Sequence, residues 1–221
     1  MYIPLRLRTI ASFIKPNEKV ADVGADHGLL ELLLVTRDTN NQVVAIENKT
    51  GPYEILKENL IGIKNVRLSL SDGLEAVDRD VNTVVIAGMG GYNIVKILNA
   101  HSNKLSGINK IIVDAHRDSN EVRKTLVNFK FKITQEKIIF ENCTYYVIIV
   151  FEKTSEKHHY SDDEIEFGFE LYNDPLWGEY KNHLISTYKR NIDKIKASNK
   201  NDEKIAELKS LIERLKNYGK N

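Results

Sequence analysis

Short apolar runs and longer stretches of three- and four-residue apolar spacing take turns along the first two thirds of the chain. Lys19-Val20-Ala21 runs into Asp22, Val43-Val44-Ala45-Ile46 into Glu47, and the alternating Val66–Leu70 into Ser71-Asp72-Gly73. Residues 83–87 lead to Gly88-Met89-Gly90-Gly91, and residues 110–113 to Asp114-Ala115-His116. Short apolar runs bounded by turn residues predict buried strands. Helical spacing follows: Leu29, Leu30, Leu32, Leu33 and Leu34; then residues 51–61 with Ile55, Leu56 and Leu60 on one face and Pro52 in the first turn, where it is tolerated; then Ile94, Val95, Ile97 and Leu98; then Val122, Leu126 and Val127. Ahead of the first strand, Leu5, Leu7, Ile10, Phe13 and Ile14 predict a helix over 2–15 that packs on the sheet edge and brings Arg6 and Arg8 near the first loop.

Residues 131–140 and 145–151 are β-rich, and the connection over 141–144 is too short for a parallel crossover. They predict an antiparallel hairpin. Alternation of strand and helix five times, closed by a hairpin, predicts a doubly wound, Rossmann-like α/β sheet. The terminal hairpin points to the class I methyltransferase sheet, with one antiparallel strand, over the all-parallel dinucleotide fold. The character then becomes polar, which divides the chain into domains 1–154 and 155–221. In the second, Ser161 and Glu164 fit a capping box. Trp177, Tyr180, Leu184, Tyr188, Ile192 and Ile195 share one helical face, as do Ile205, Leu208, Leu211, Ile212 and Leu215. A C-terminal helical, coiled-coil hairpin is expected.

Composition changes this picture little. At 221 residues, 42% hydrophobic and 29% charged, the chain is of ordinary globular make-up. It lacks a long apolar run or a signal-peptide pattern, so neither membrane insertion nor secretion is expected and a cytoplasmic setting is. One cysteine, Cys143, excludes an internal disulfide and a multi-cysteine metal site. A net charge of +1 means that a nucleic-acid partner would have to meet a local basic surface.

The chemistry gathers where the strands end. Asp22-Val23-Gly24-Ala25-Asp26-His27-Gly28 reads as a strand-turn-helix in which Gly24 and Gly28 permit a tight bend and the approach of a ligand. A single acid at a strand end is more often a turn former than a ligand group. Here acids or glycines recur after four strands, the edge at which such sheets hold nucleoside cofactors. Asp22 would meet a cationic amino group, Glu47 would accept from two ribose hydroxyls, and Asp72 would accept from an adenine amine. A dinucleotide cradle would want glycine at position 26, because an acid there repels a pyrophosphate. S-adenosylmethionine has no phosphate and carries a sulfonium cation, so Asp26 suits it.

The set Leu5-x-Leu7-Arg8-x-x-Ala11, Asp22-Val23-Gly24-Ala25-Asp26-His27-Gly28-Leu29-Leu30, Asp72-Gly73-Leu74-Glu75 and Ala87-Gly88-Met89-Gly90-Gly91 closely resembles the bacterial tRNA adenine-N1 methyltransferases of the TrmK family, across essentially the whole chain. Asp-His after the first glycine, with Gly-Met-Gly-Gly after the fourth strand, is far more specific than the general methyltransferase motif. The resemblance implies S-adenosylmethionine as donor and N1 of adenine 22, in the D-arm of tRNA, as acceptor. It implies a cofactor site built from Asp22, Gly24, Asp26, Gly28, Glu47, Asp72, Gly73, Gly88 and Met89. The family's Gln-Pro-Asn after the fifth strand reads Asp114-Ala115-His116 here. The Asn/Asp-Pro-Pro-aromatic motif of exocyclic-amine methyltransferases is missing, which fits a ring-nitrogen acceptor.

Attack by N1 leaves positive charge on adenine, so a nearby carboxylate would stabilise the transition state. Asp26 is the first catalytic candidate and His27 the second; the plainer readings are that Asp26 orders the cofactor loop and His27 caps the following helix. For the substrate, the candidates are Arg8, Gly90, Gly91, His116 and Tyr92, the last as a stacking ring. Lys189, Arg190 and Lys194 would grip tRNA from the helical hairpin, alongside Lys181, Lys196, Lys200, Lys204 and Lys209, against the reading that these form a solvated face. A monomer is expected, with no metal and no membrane partner. The competing functions are a methyltransferase acting on another RNA adenine, a non-catalytic RNA-binding module that keeps the fold, and a nicotinamide oxidoreductase.

Overall fold

A computed structural model describes residues 2–38, 40–198 and 201–220. The chain divides into two compact units, 1–158 and 159–221.

In the first unit, α1 (Leu5–Ser12) precedes β1 (Lys19–Val23), α2 (Leu29–Arg37), β2 (Gln42–Glu47), α3 (Thr50–Asn59), β3 (Val66–Leu70), β4 (Thr83–Met89), α4 (Gly91–Ala100), β5 (Lys110–Ala115), α5 (Ser119–Asn128), β6 (Phe131–Glu141) and β7 (Thr144–Lys153). The strands form one sheet in the order β3-β2-β1-β4-β5-β7-β6. β7 pairs antiparallel with both neighbours, and the remaining pairs are parallel. The sheet is therefore the doubly wound one the alternation predicts, with a single antiparallel strand. The β6–β7 turn is shorter than the sequence suggests. Asn142 and Cys143 alone bridge the strands, both at positive φ (51° and 59°), the left-handed backbone that two-residue hairpins need.

Two expectations need correction. Helix α1 spans Leu5–Ser12 instead of 2–15, because Pro4 supplies its N-cap in extended backbone and Phe13 closes it. The β3–β4 connection contains turns and no helix, so the alternation of strand and helix is broken once. That break lies where the chain crosses from the edge strand β3 to β4 on the far side of β1. The crossing makes β1 and β4 the switch point of the sheet, with their carboxyl ends opening a crevice.

Both faces of the sheet are covered, as buried parallel strands require. Ile10 and Ala11 of α1 and Leu30 and Leu34 of α2 share one cluster with Val20, Val43, Val85 and Ile112. The alternate strand residues Val84, Ile86, Ile111 and Val113 are equally buried, and α4 and α5 pack on each other.

The second unit holds α6 (Asp162–Phe167), α7 (Trp177–Ala197) and α8 (Asp202–Asn217). The capping box forms: the Glu164 amide donates to Ser161 Oγ, and Glu164 accepts from the Ser161 amide. Lys181 Nζ, near the start of α7, donates to the carbonyls of Lys216 and Tyr218 at the end of α8, so the helices run antiparallel. Ile192, Leu208 and Ile212 form their seam, flanked by Ile185, Tyr188 and Ile195. Among the described residues no helix is long and apolar enough to cross a membrane, and no three His, Cys, Asp or Glu side chains are placed to hold a metal ion.

Candidate active site

A cleft of about 880 Å³ opens at the carboxyl ends of β1, β2 and β4. It falls in the size range of small-molecule sites. Each wall comes from the end of a strand whose apolar residues run out. β1 delivers Asp22 and the turn Gly24 to His27; β2 delivers Glu47, Asn48 and Lys49; Asp72 and Gly73 follow β3; Gly88 and Met89 end β4; His116 follows β5; and α1 contributes Arg6 and Leu7.

The first loop is pinned to its neighbour: the amides of Gly24 and Ala25 both donate to the carbonyl of Ile46, at 2.8 and 3.1 Å. Gly24 adopts φ +82°, and a Cβ there would lie 2.5 Å from Met89 Cε, so the glycine leaves room for the methionine that ends β4. Gly28 also has a left-handed φ, but its missing Cβ faces Leu56 and Leu60, and Gly28 does not line the cleft. Its role is to seat the turn on α3. Asp26 and His27 both reach the cleft wall, largely exposed, with Nε2 of His27 3.7 Å from Oδ2 of Asp26.

Glu47 is buried, and its Oε1 accepts the amides of Asn48 and Lys49 at 3.0 Å each. Those bonds fix the carboxylate while Oε2 has no partner among the described residues. Asp72 accepts from Asn48 Nδ2 at 3.2 Å, joining the second and third walls.

Asp22, buried at the end of β1, has the Glu31 carboxyl of α2 as its close polar neighbour. Burial pushes Asp22 up to about 7, opposed by the adjoining Glu31 carboxyl and by the charge of Arg6. Burial and the charge of Asp22 raise Glu31 well above the usual carboxylate range. Burial and each other's proximity thus both disfavour ionisation of the two carboxyls together.

The loops after β4 and β5 are laced together. Gly88 takes φ +80° in a bulge, the His116 amide donates to the Met89 carbonyl, and the Gly91 amide donates to the Arg117 carbonyl, both at 2.9 Å. A Cβ on Gly91 would meet the Asp118 carbonyl oxygen at 2.2 Å. Below them, Arg6 Nη1 pairs with the fully buried Asp114 at 2.7 Å, and its guanidinium lies 5.5 Å from the Tyr146 ring, which His116 approaches edge-on. Burial raises Asp114, and Arg6 is the main force opposing it.

The structure thus brings Asp22, Gly24, Asp26, His27, Glu47, Asp72, Gly73, Gly88, Met89 and His116 to one cleft. It does not bring Arg8, which is exposed on α1; Arg6 takes that place, because it sits one helical turn before the buried Ile10, whereas Arg8 projects from another face. Gly90 and Gly91 do not line the cleft and serve the packing of α4 on the β5 loop, and Tyr92 is exposed on the first turn of α4, outside the cleft. Lys189 borders a shallow groove between α7 and α8 with Lys196, Lys209 and Lys216; Lys194 lies outside it, and Arg190 hydrogen-bonds Thr187 at 2.9 Å. Lys181, as above, is occupied by carbonyls, Lys204 pairs with Glu207, and Lys200 falls outside the described residues. Asn93, Lys96 and His101 also line the cleft and were not singled out from the sequence; they lie on α4 or just after it without a motif to mark them.

The model of a methyltransferase domain matches residues 3–149, well over half of the chain. The chain belongs to the methyltransferase-domain family. The tRNA (adenine(22)-N(1))-methyltransferase of Bacillus subtilis (strain 168) is 27% identical over 227 residues, covering 96% of this chain and 94% of that protein. Among solved structures, M. capricolum TrmK in complex with S-adenosyl-homocysteine superposes with a TM-score of 0.85 at 26% identity, covering 99% of this chain and 98% of that one. A putative tRNA (m1A22) methyltransferase from Streptococcus pneumoniae, in complex with S-adenosyl-L-methionine, gives 0.80 at 27% identity, covering 97% and 98%. The methyltransferase fold expected from the strand pattern is the one observed.

The close approach at Gly91 gives a stability prediction. Gly91→Ala should destabilise the chain by about 1–3 kcal/mol in urea unfolding, while Tyr92→Ala, one residue on and exposed, should change it by less than about 0.5 kcal/mol.

Proposed function

We propose that this protein is an S-adenosylmethionine-dependent methyltransferase that methylates N1 of adenine 22 in the D-arm of tRNA, acting in the cytoplasm as a monomer. What carries the reading is a cleft with carboxylates from three successive strand ends and Asp26-His27 at its mouth, in a chain similar along nearly its whole length to a protein named for that reaction.

The residues present fit the cofactor. Glu47 has one oxygen committed to backbone amides and the other available to ribose hydroxyls; Asp72 offers an acceptor for the adenine amine; Asp22 offers a carboxylate to a cationic amino group. When bound, S-adenosylmethionine supplies an electrophilic methyl group on a sulfonium. The protein's share is placement, since unpaired adenine N1 is already a neutral nucleophile. Asp26 lies on the exposed side of the turn, where its carboxylate meets positive charge developing on the base, and His27 beside it is available to relay a proton from the exocyclic nitrogen. His116 and Arg6 border the same cleft from the β5 side and flank the incoming nucleotide. Adenine 22 must leave its stack to enter. The second unit, 159–221, with Lys189, Arg190 and Lys194, supplies phosphate contacts for that docking.

Incubation with methyl-labelled cofactor and two tRNA transcripts, one with adenine and one with guanine at position 22, should label only the first; equal labelling of both would refute the assignment. For Asp26→Ala, kcat should fall by about 100-fold or more while the cofactor Kd, measured by calorimetry, changes by less than about threefold. A loss confined to Kd would return Asp26 to a purely structural role.

A further inference from the structure

Glu31 is out of place by every rule of helix burial. It stands in the first turn of α2 between Leu30 and Leu32, on the side of the helix that also buries Leu30 and Leu34, and is fully enclosed. Neither of its oxygens finds a donor among the described residues, and the neighbouring polar group is the carboxyl of Asp22. A leucine would fill the position at no desolvation cost, whereas a buried acid costs free energy unless it is hydrogen-bonded.

The charged groups acting on Asp22 are Glu31 from α2 and Arg6 from α1, and the one acting on Glu31 is Asp22. Arg6 is already committed to Asp114 at 2.7 Å. Two adjacent anions in this setting would repel at low dielectric. One proton relieves that, and its place follows from geometry: Glu31 is fully enclosed and away from the cleft, while Asp22 borders it.

We infer that Glu31 is a positioning residue: a neutral carboxylic acid whose O–H donates to Asp22, favouring the ionised form of that carboxylate and orienting it for the cationic amino-acid end of the cofactor. This rests on the S-adenosylmethionine reading of the cleft. Because the donated hydrogen bond offsets the burial that favours protonated Asp22, removing it makes Asp22 take up a proton at higher pH. The cleft wall then loses its anion near neutrality and regains it as pH rises.

The test is calorimetric titration of the full chain with S-adenosylhomocysteine from about pH 6 to about pH 8.5, where ligand ionisation is common to all variants. Glu31→Leu should bind about fivefold more weakly at pH 7, with the midpoint of its pH dependence about one unit above wild type. Glu31→Gln, whose amide still donates, should restore both. Binding of 5′-methylthioadenosine, which lacks the amino-acid end, should be unchanged in every variant. An unshifted midpoint in Glu31→Leu, or equal weakening toward both ligands, overturns the inference; absence of binding by wild type at any pH overturns the cofactor reading instead. Should Glu31→Leu not fold, carbon-13 carboxyl spectra of the wild-type chain decide: Glu31 must still be protonated at pH 7, and ionisation in the ordinary glutamate range overturns the proposal.

Discussion

The site depends on carboxylates held at the ends of strands that have themselves been taken out of water. Asp22 is the extreme case, an acid near the end of the interior strand β1, at the switch point, with apolar side chains on both sides of the sheet. Glu31 and Arg6, from two different helices, favour its ionised form against the burial that opposes it. Glu47 solves the same problem on β2 with two backbone amides. For Glu47 the amides that make a buried acid tolerable also fix its direction, so the cost of burial and the precision of that wall have one origin.

A second layer of support lies on the β4–β5 side. Glu141 at the end of β6 accepts the amides of Leu5 and Arg6 at 2.7 and 3.2 Å and the Tyr2 hydroxyl at 2.7 Å, which ties the start of α1 to the sheet. Arg6 leaves that anchored turn to reach Asp114 under the cleft. The departure at Asp114-Ala115-His116 from the pattern of the resembling family is thus absorbed into an ion pair with α1, and His116 remains at the cleft.

The strands and the terminal hairpin were legible because burial on both faces writes short apolar runs that end in turn residues, as in 42–47 and 110–115, while the edge strand 66–70 shows as alternation. The missing helix between β3 and β4 was not, since alternation suggests a crossover helix that the polar stretch after Asp72 does not encode. At the site, Asp22, Glu47 and Asp72 could be read because a strand end announces where a side chain emerges. Arg6 and Arg8 sit in one helix and the sequence pattern treats them alike; phase against the buried Ile10 separates them. Glu31 carries no mark in the sequence because its partner is nine residues away in a different element, and a lone acid within a leucine-rich helix has no local signature. Gly28 and Gly91 show the converse: glycines near a ligand loop whose missing Cβ makes room for protein.

The central claim is that the strand-end carboxylates make this cleft an S-adenosylmethionine site. Calorimetric titration of the full chain with S-adenosylmethionine, beside Glu47→Ala, tests it most directly. One cofactor should bind per chain, and loss of the Glu47 acceptor should weaken binding by about tenfold or more. No binding to the wild-type chain, or the same affinity without Glu47, would contradict it.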